Sequence, residues 1–141
     1  MMPMFRHSLT EIALAVRAAA TIAGAHWQVR LRPIAAMRHW ASPPARRTGH
    51  QEALLLAFRR AANRLPGTCL IRALALQRFL ALHGVSSELR IGVAPNSTGL
   101  LAHAWLIDGE RILIGGGKEA ETFTVLTTWS DADIAATKRS Q

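Results

Sequence analysis

The spacing of apolar residues changes once along this chain, near Gly84, and this change constrains the fold more than any other feature. Before that point, apolar residues recur at helical spacing. After it, Leu89, Ile91 and Val93 alternate with other residues, as in a strand. Helical segments therefore come first and strands follow together. This order predicts an α+β fold, in which helices pack on one face of a small antiparallel sheet.

The helical part is predicted to contain a central helix that begins at Cys69. Thr68 has the chemistry of a helix cap, and Gly84 that of a left-handed residue that ends a helix. The segment between them is apolar on nearly every side, which is typical of a buried helix. The predicted helices cover residues 8–31, 34–41, 51–65 and 69–83.

The second part is predicted to be an antiparallel meander. Asp108-Gly109 is a strong hairpin signal, because both residue types tolerate the positive φ of a two-residue turn. A turn at these two residues places Ile114 opposite His103 on the paired strands. The predicted strands cover residues 88–93, 100–107, 111–114 and 123–126, and Ser130 is predicted to begin a last helical turn.

The formal net charge is +8, and much of the excess lies in residues 27–47, which hold five arginines and no acid. Proline and polar residues at 42–50 mark a boundary, which predicts an N-terminal basic helical arm, 1–48, and a core domain, 49–141. Such an arm more often packs on its own core than on nucleic acid, so we predict no nucleic-acid partner. No uninterrupted apolar run has the length of a membrane span, so we predict no transmembrane segment.

Cys69 is the only cysteine, which excludes an internal disulfide and predicts a reducing, cytoplasmic location. A helix N-terminus favours thiolate over thiol, and its unpaired N–H groups can hold an oxyanion. A small buried structural residue is the alternative interpretation. The position of Cys69 predicts a nucleophile.

His103 lies in an alternating apolar run that places Leu101, Trp105 and Ile107 on the same face of its strand. A thiol needs a nearby base, and His103 is predicted to be the base that serves Cys69. A third group normally orients such a histidine, and the residues leave its identity open. The candidates are Asp108, Glu110, Glu119, Glu121, Asn96 and a backbone carbonyl.

Metal and cofactor sites are not predicted. One cysteine and scattered histidines give no ligand spacing of the zinc kind. Gly115-Gly116-Gly117 is not followed by the Lys-Ser/Thr pair of a phosphate-binding loop. The predicted site therefore consists of Cys69 and His103, with no metal and no cofactor.

Several segments together resemble the lasso-peptide leader peptidase, the stand-alone protease half of the split lasso-peptide B protein. This family belongs to the transglutaminase-like cysteine peptidases. The resemblance spans roughly residues 50–126. The matching segments are Leu65-Pro-Gly-Thr-Cys69-Leu-Ile-Arg72, His83-Gly84-Val85, Leu89-Arg-Ile-Gly92-Val93, Ala102-His103-Ala104-Trp105 and Ile114-Gly-Gly.

The resemblance implies a transglutaminase/papain-like core with its nucleophile at the N-terminus of a central helix. The implied activity is removal of the leader from a ribosomally synthesised lasso-peptide precursor, with Cys69 as nucleophile and His103 as base. The implied partners are the precursor peptide, a separate leader-recognition protein and the lasso cyclase. The family generally carries an aspartate on the strand after the hairpin, where this chain has Ile114-Gly115-Gly116.

Two other interpretations remain open from the sequence. One is a different transglutaminase-like amidase or acyltransferase, which would share the nucleophile and differ in substrate or acyl acceptor. The other is a non-catalytic basic protein that binds nucleic acid or a membrane surface through its positive charge.

Overall fold

A computed structural model describes residues 9–41, 51–116 and 123–129. Within these ranges the helices are α1 (Leu9–Leu31), α2 (Ile34–Ala41), α3 (Gln51–Ala62) and α4 (Cys69–Leu82). The strands are β1 (Glu88–Asn96), β2 (Gly99–Asp108), β3 (Arg111–Ile114) and β4 (Thr124–Trp129). The predicted α+β fold is confirmed. The helical turn predicted to begin at Ser130 lies outside the described residues.

Helix α4 is the centre of the fold, and both of its predicted caps are confirmed. At its start, the Ile71 N–H donates to Oγ1 of Thr68 over 3.3 Å. At its end, Gly84 adopts a φ of +74° and the Val85 N–H donates to the Leu80 carbonyl over 2.9 Å. These bonds satisfy backbone groups that a helix leaves unpaired at its ends. Most of the side chains of α4 are buried, as its apolar sequence predicted.

Helices from both sides of the predicted 48/49 boundary contribute to one hydrophobic core. Ala18 and Ile22 of α1 and Met37 of α2 pack in the same cluster as Phe58 of α3 and Leu74 of α4. The division into an arm and a core domain stays a prediction. None of the helices within the described ranges has the length and apolar character needed to cross a membrane.

The basic and aromatic side chains of α2 are engaged within the protein. Arg78 of α4 lies over the Trp40 ring, 4.6 Å from its centre, and donates to the Trp40 carbonyl. Arg38 lies over the ring of Trp129 at 5.3 Å. Burial lowers the pKa of Arg78. These cation–π contacts fasten α2 to α4 and to the sheet.

The sheet is antiparallel, with the strand order β3-β2-β1-β4. β1 and β2 form a hairpin in which Asn96 pairs with Gly99, so Pro95 and Asn96 belong to the strand and not to a loop as predicted. Oδ1 of Asn96 accepts from the Thr98 N–H over 3.0 Å, which stabilises the tight turn. The two strands are therefore longer than their apolar alternation indicated.

The hairpin between β2 and β3 differs from the predicted one. Asp108 pairs with Arg111, so the turn residues are Gly109 and Glu110, and only Gly109 has a positive φ, +61°. A glycine at the first turn position suits a II′ turn, which needs positive φ at that position alone. The predicted turn at Asp108-Gly109 is therefore wrong by one residue.

A register shift follows in the same hairpin. Ile107 pairs with Ile112 and Leu106 pairs with Ile114, which leaves Leu113 as the extra residue of a bulge. The prediction that Ile114 lies opposite His103 is thus wrong. Nη2 of Arg59 donates to the Leu113 carbonyl over 3.0 Å, so the bulge is held from α3.

The two faces of the sheet have different neighbours. Ala104 and Leu106 face the helices and belong to the main core. Trp105 and Ile107 face the opposite side, where Phe123 packs against them. The alternation that the sequence predicted along β2 is confirmed, and His103 shares the face of Trp105.

Candidate active site

Cys69 is the first residue of α4, half-buried against the main core. Pro66 and Gly67 lie in the segment that connects α3 to the Thr68 cap of α4. Nε2 of His26, on α1, donates to the Pro66 carbonyl over 2.6 Å. The segment before the thiol is therefore held from one side by α1 and from the other by the Thr68 cap.

His103 is half-buried, and three neighbours fix its ring. The ring stacks on Trp105 with centres 5.8 Å apart and an angle of 19°, and the Phe123 ring lies at 5.1 Å. Nε2 donates to the Gly115 carbonyl over 2.5 Å. Gly92, directly across on β1, presents no side chain against the ring. The imidazole is held in one orientation on the face away from the helices.

Helix α4 is bonded to the sheet through the side chain of Gln77. The side-chain amide of Gln77 donates over 3.0 Å to the main-chain carbonyl of Trp129, the β4 residue that pairs with Leu89. A short connection joins the end of α4 to the start of β1. Cys69 precedes Gln77 by about 12 Å along the helix. Gly92, the partner of His103, follows Leu89 by about 10 Å along β1.

The two predicted catalytic groups are not bonded to each other. Within residues 9–41, 51–116 and 123–129, no hydrogen bond joins Sγ of Cys69 to the imidazole of His103. Cys69 packs with the helical core, and His103 packs on the other face of β2. Their partnership in catalysis stays a prediction.

Asp108, Glu110 and Asn96, which were proposed to orient His103, lie elsewhere or have other partners. Asp108 is five residues along β2, about 16 Å away, and accepts from Nε2 of Gln51 over 2.9 Å. Glu110 is a turn residue beyond it, and Asn96 serves the opposite hairpin. Glu119 and Glu121 lie outside the described residues. Of the candidates that lie within the described residues, a backbone carbonyl, that of Gly115, is the one that contacts the ring.

A scan against protein families matches residues 12–128 to the family described as the transglutaminase-like superfamily. The chain belongs to this superfamily. Its members are typically cysteine-based enzymes, so the match supports a thiol nucleophile in general terms. No curated protein and no solved structure matches the chain. The matched region includes α2 and all but the first three residues of α1, in agreement with their place in the core of this transglutaminase-like domain.

Arg72 lies one turn into α4 from Cys69. Its Nε is buried and has no hydrogen-bond partner in the described part of the chain. Its Cγ would lie 3.4 Å from a Cβ placed on Gly67, so the side chain covers the segment that leads to the thiol.

Two groups beside the predicted pair were missed by sequence reasoning. His26 carried no signal, because its partner is a carbonyl forty residues away in the chain. Gly115 belongs to a run of three glycines, and nothing in the sequence distinguished its carbonyl from other backbone carbonyls. No group of three His, Cys, Asp or Glu side chains within the described residues is placed to hold a metal ion.

Proposed function

We propose that this chain is a cysteine peptidase that removes the leader from a ribosomally synthesised lasso-peptide precursor. The proposal rests on one observation. The only cysteine of this transglutaminase-like chain lies at the capped N-terminus of a buried helix. The resemblance of residues 50–126 to the lasso-peptide leader peptidases narrows the substrate to such a precursor.

In the proposed mechanism, His103 accepts the proton of the Cys69 thiol, and the thiolate attacks the scissile carbonyl carbon. The tetrahedral intermediate collapses as His103 returns the proton to the leaving amine. The core peptide departs with a free N-terminal amine, and the leader remains as a thioester on Cys69. Water then hydrolyses the thioester and releases the leader carboxylate.

The first turn of α4 supplies the donors for the oxyanion in this mechanism. The Ile71 N–H is bonded to Oγ1 of Thr68, and the Arg72 N–H to the Thr68 carbonyl. The N–H groups of Cys69 and Leu70 precede these and have no partner within the helix. They lie beside the nucleophile, where the negative charge of the intermediate develops.

The proposal includes the partners that the resemblance implies. A separate leader-recognition protein delivers the precursor to this chain, and the lasso cyclase uses the freed amine. These steps belong to the cytoplasm, where a free thiol persists. No metal or cofactor takes part in the proposed reaction.

A reconstituted reaction tests the proposal. Purified protein is incubated with precursor peptide and leader-binding partner, and mass spectrometry follows the leader and the core peptide. Cys69→Ala should abolish release, and His103→Gln should reduce its rate by about 10²–10⁴-fold, the usual contribution of an acid–base group. Circular dichroism and the urea midpoint control for folding. Full cleavage by Cys69→Ala would end the proposal.

Alkylation tests the pairing of the two residues without any substrate. Iodoacetamide reacts with the thiolate of the single cysteine, so its rate reports how much thiolate is present. At neutral pH, His103→Gln should react more slowly than the wild type, because the thiol loses the base that accepts its proton. Equal rates in the two proteins would show that His103 does not act on Cys69.

A transglutaminase-like amidase or acyltransferase is the second candidate, and the superfamily match favours it as much as a peptidase. The product separates the two. Hydrolysis adds the mass of water to the acyl fragment, whereas transfer adds the mass of an amine. The internal contacts of Arg38 and Trp40 count against a nucleic-acid surface on α2. Salt-dependent DNA binding with an unreactive thiol would instead favour the non-catalytic alternative.

A further inference from the structure

The bond between His103 and Gly115 determines which ring nitrogen carries a proton. A carbonyl oxygen can only accept a hydrogen bond, so Nε2, at 2.5 Å from the Gly115 oxygen, must be the donor. A neutral imidazole carries one proton, which leaves Nδ1 as an acceptor. We propose that the main-chain carbonyl of Gly115 is the positioning group that orients His103 and holds it as the Nε2–H tautomer, with Nδ1 left to act as the base of the proposed mechanism. The catalytic part of this inference rests on the proposed function.

Residue 115 must be glycine for its carbonyl to hold this position. Its φ is +77°, a conformation that side chains with a Cβ rarely adopt. A Cβ at this position would lie 2.7 Å from the carbonyl oxygen of Ala104 and 3.2 Å from the Trp105 backbone. Any side chain would therefore push the end of β3 away from β2. An aspartate, which the family resemblance led us to expect near this position, does not fit this backbone at residue 115.

Because aromatic neighbours restrict rotation of the His103 ring, the tautomer determines which ring nitrogen can exchange a proton. Trp105 and Phe123 pack on the ring of His103 and restrict its rotation. Gly92 permits this packing, since a Cβ there would lie 3.0 Å from the Trp105 ring and 3.2 Å from Phe123. With the ring held and Nε2 occupied, proton exchange with the substrate passes through Nδ1.

The proton balance of the acylation step is then complete. The thiol proton moves to Nδ1, and the imidazolium keeps Nε2–H bonded to the Gly115 carbonyl. The same proton passes from Nδ1 to the leaving amine, which restores the starting tautomer. The carbonyl orients the ring and stabilises the imidazolium through its dipole, but carries no negative charge as an aspartate would.

Nitrogen NMR of the wild-type protein tests the tautomer directly. Histidine ring nitrogens are labelled with ¹⁵N, and the spectrum is recorded where the imidazoles are neutral. The chain has six histidines, so His103→Gln identifies the signals of His103 by their loss. We expect a protonated Nε2 and an unprotonated Nδ1. A protonated Nδ1 in the folded wild type would overturn the inference, whatever the protein catalyses.

Paired glycine variants test the role of the carbonyl. Gly115→Ala introduces a Cβ that displaces the carbonyl, whereas Gly109→Ala imposes similar backbone strain at a φ of +61° with no atom within 4 Å. Gly115→Ala should mix the tautomers of His103 and lower kcat by up to about 10²–10⁴-fold, with KM little changed. Gly109→Ala should retain the wild-type tautomer and kcat. An unchanged tautomer and kcat in folded Gly115→Ala would refute the proposal.

A backbone change covers the case in which Gly115→Ala does not fold. Replacing Gly116 with glycolic acid by semisynthesis turns the Gly115 carbonyl into an ester carbonyl, a weaker acceptor, without adding atoms near Ala104. We expect a shift of the Nε2 proton signal and a lower kcat. No shift would refute the hydrogen bond. Failure of the wild type to cleave precursor, with the Nε2 tautomer intact, would instead refute the proposed function alone.

Discussion

Thr68→Ala removes the side-chain oxygen that caps the helix carrying the nucleophile. In the wild type this oxygen accepts from the Ile71 N–H over 3.3 Å. Without it, that N–H loses its partner at the start of α4. Thr68→Ser is the matched control, because it shortens the side chain yet keeps the hydroxyl oxygen. The pair of variants therefore isolates the hydrogen bond from the change in side-chain size.

The expected loss follows from the geometry of the cap. Replacing a capping Ser or Thr by Ala costs about 0.5–2 kcal/mol. The distance in this protein is at the long end for a hydrogen bond, so we expect about 0.5–1 kcal/mol. With a urea dependence of about 1–2 kcal/mol per molar, the unfolding midpoint of Thr68→Ala should fall by roughly 0.5 M. Thr68→Ser should lie close to the wild type.

Urea unfolding and amide hydrogen exchange provide independent readouts of the cap. Unfolding reports the free energy of the whole domain, whereas exchange at the Ile71 amide reports the first turn of α4. We expect faster exchange at Ile71 in Thr68→Ala and an unchanged rate in Thr68→Ser. Equal midpoints and equal exchange rates in both variants would show that the cap does not stabilise α4 in solution.

Three further predictions concern the core, the sheet and pH. Leu74→Ala, in the centre of α4 with 0% exposure, should lower the free energy of unfolding by about 2–5 kcal/mol, whereas Leu126→Ala, 65% exposed, should change it by less than about 0.5 kcal/mol in urea titrations. Gly92→Ala places a methyl 2.8 Å from a β4 carbonyl oxygen and should cost about 1–3 kcal/mol by calorimetry; wild-type stability would contradict this packing. A hydrogen bond from Arg111 and its charge lower the pKa of Glu52, so the pair stabilises the fold above the ordinary pKa of a carboxyl and loses this effect as pH falls through the lowered value. Glu52→Gln should therefore lower the free energy of unfolding only slightly relative to the wild type, since both side chains are exposed, and this difference should disappear in acid. A difference in the free energy of unfolding that grows in acid would contradict the assignment.

The ends of helices were predicted best from the sequence where a residue has one specific structural role. Thr68 and Gly84 defined α4 to within a residue, because a capping hydroxyl and a left-handed glycine act through their immediate neighbours. The end of α3 was less well defined. The predicted helix reaches residue 65, whereas α3 ends at Ala62 and the Arg64 N–H donates to Ala61 in a tighter turn.

The register of the second hairpin depends on contacts that are remote in sequence. Leu113 turns into the core as the extra residue of a bulge, and Arg59 of α3 bonds its carbonyl. Neither contact has a local pattern, so a simple two-residue turn was the natural prediction. The shifted register determines which residue after β3 lies beside Trp105, and hence which carbonyl reaches His103.

The candidate site was predictable to the extent that its chemistry resides in side chains. Cys69 is the only cysteine and lies at the start of a helix, and His103 is a histidine within an apolar strand. The Gly115 carbonyl has no such signature, because every residue has a carbonyl and only the folded chain selects one. An orienting group made of main chain is therefore invisible to motif reasoning, even when the neighbouring side chains are identified.

The amide of Gln77 links the last strand to the interior of the domain. Its Nε2 donates over 3.0 Å to the carbonyl of Trp129, the final residue of β4, and this amide nitrogen is buried within α4. Until β4 docks, the strongest acceptor for that nitrogen is missing, and an unmet buried donor costs about 1–3 kcal/mol. The buried amide nitrogen of Gln77 therefore has its strongest hydrogen bond only when the edge strand β4 has docked. This bond couples the C-terminal end of the described chain to the helix that begins with the thiol.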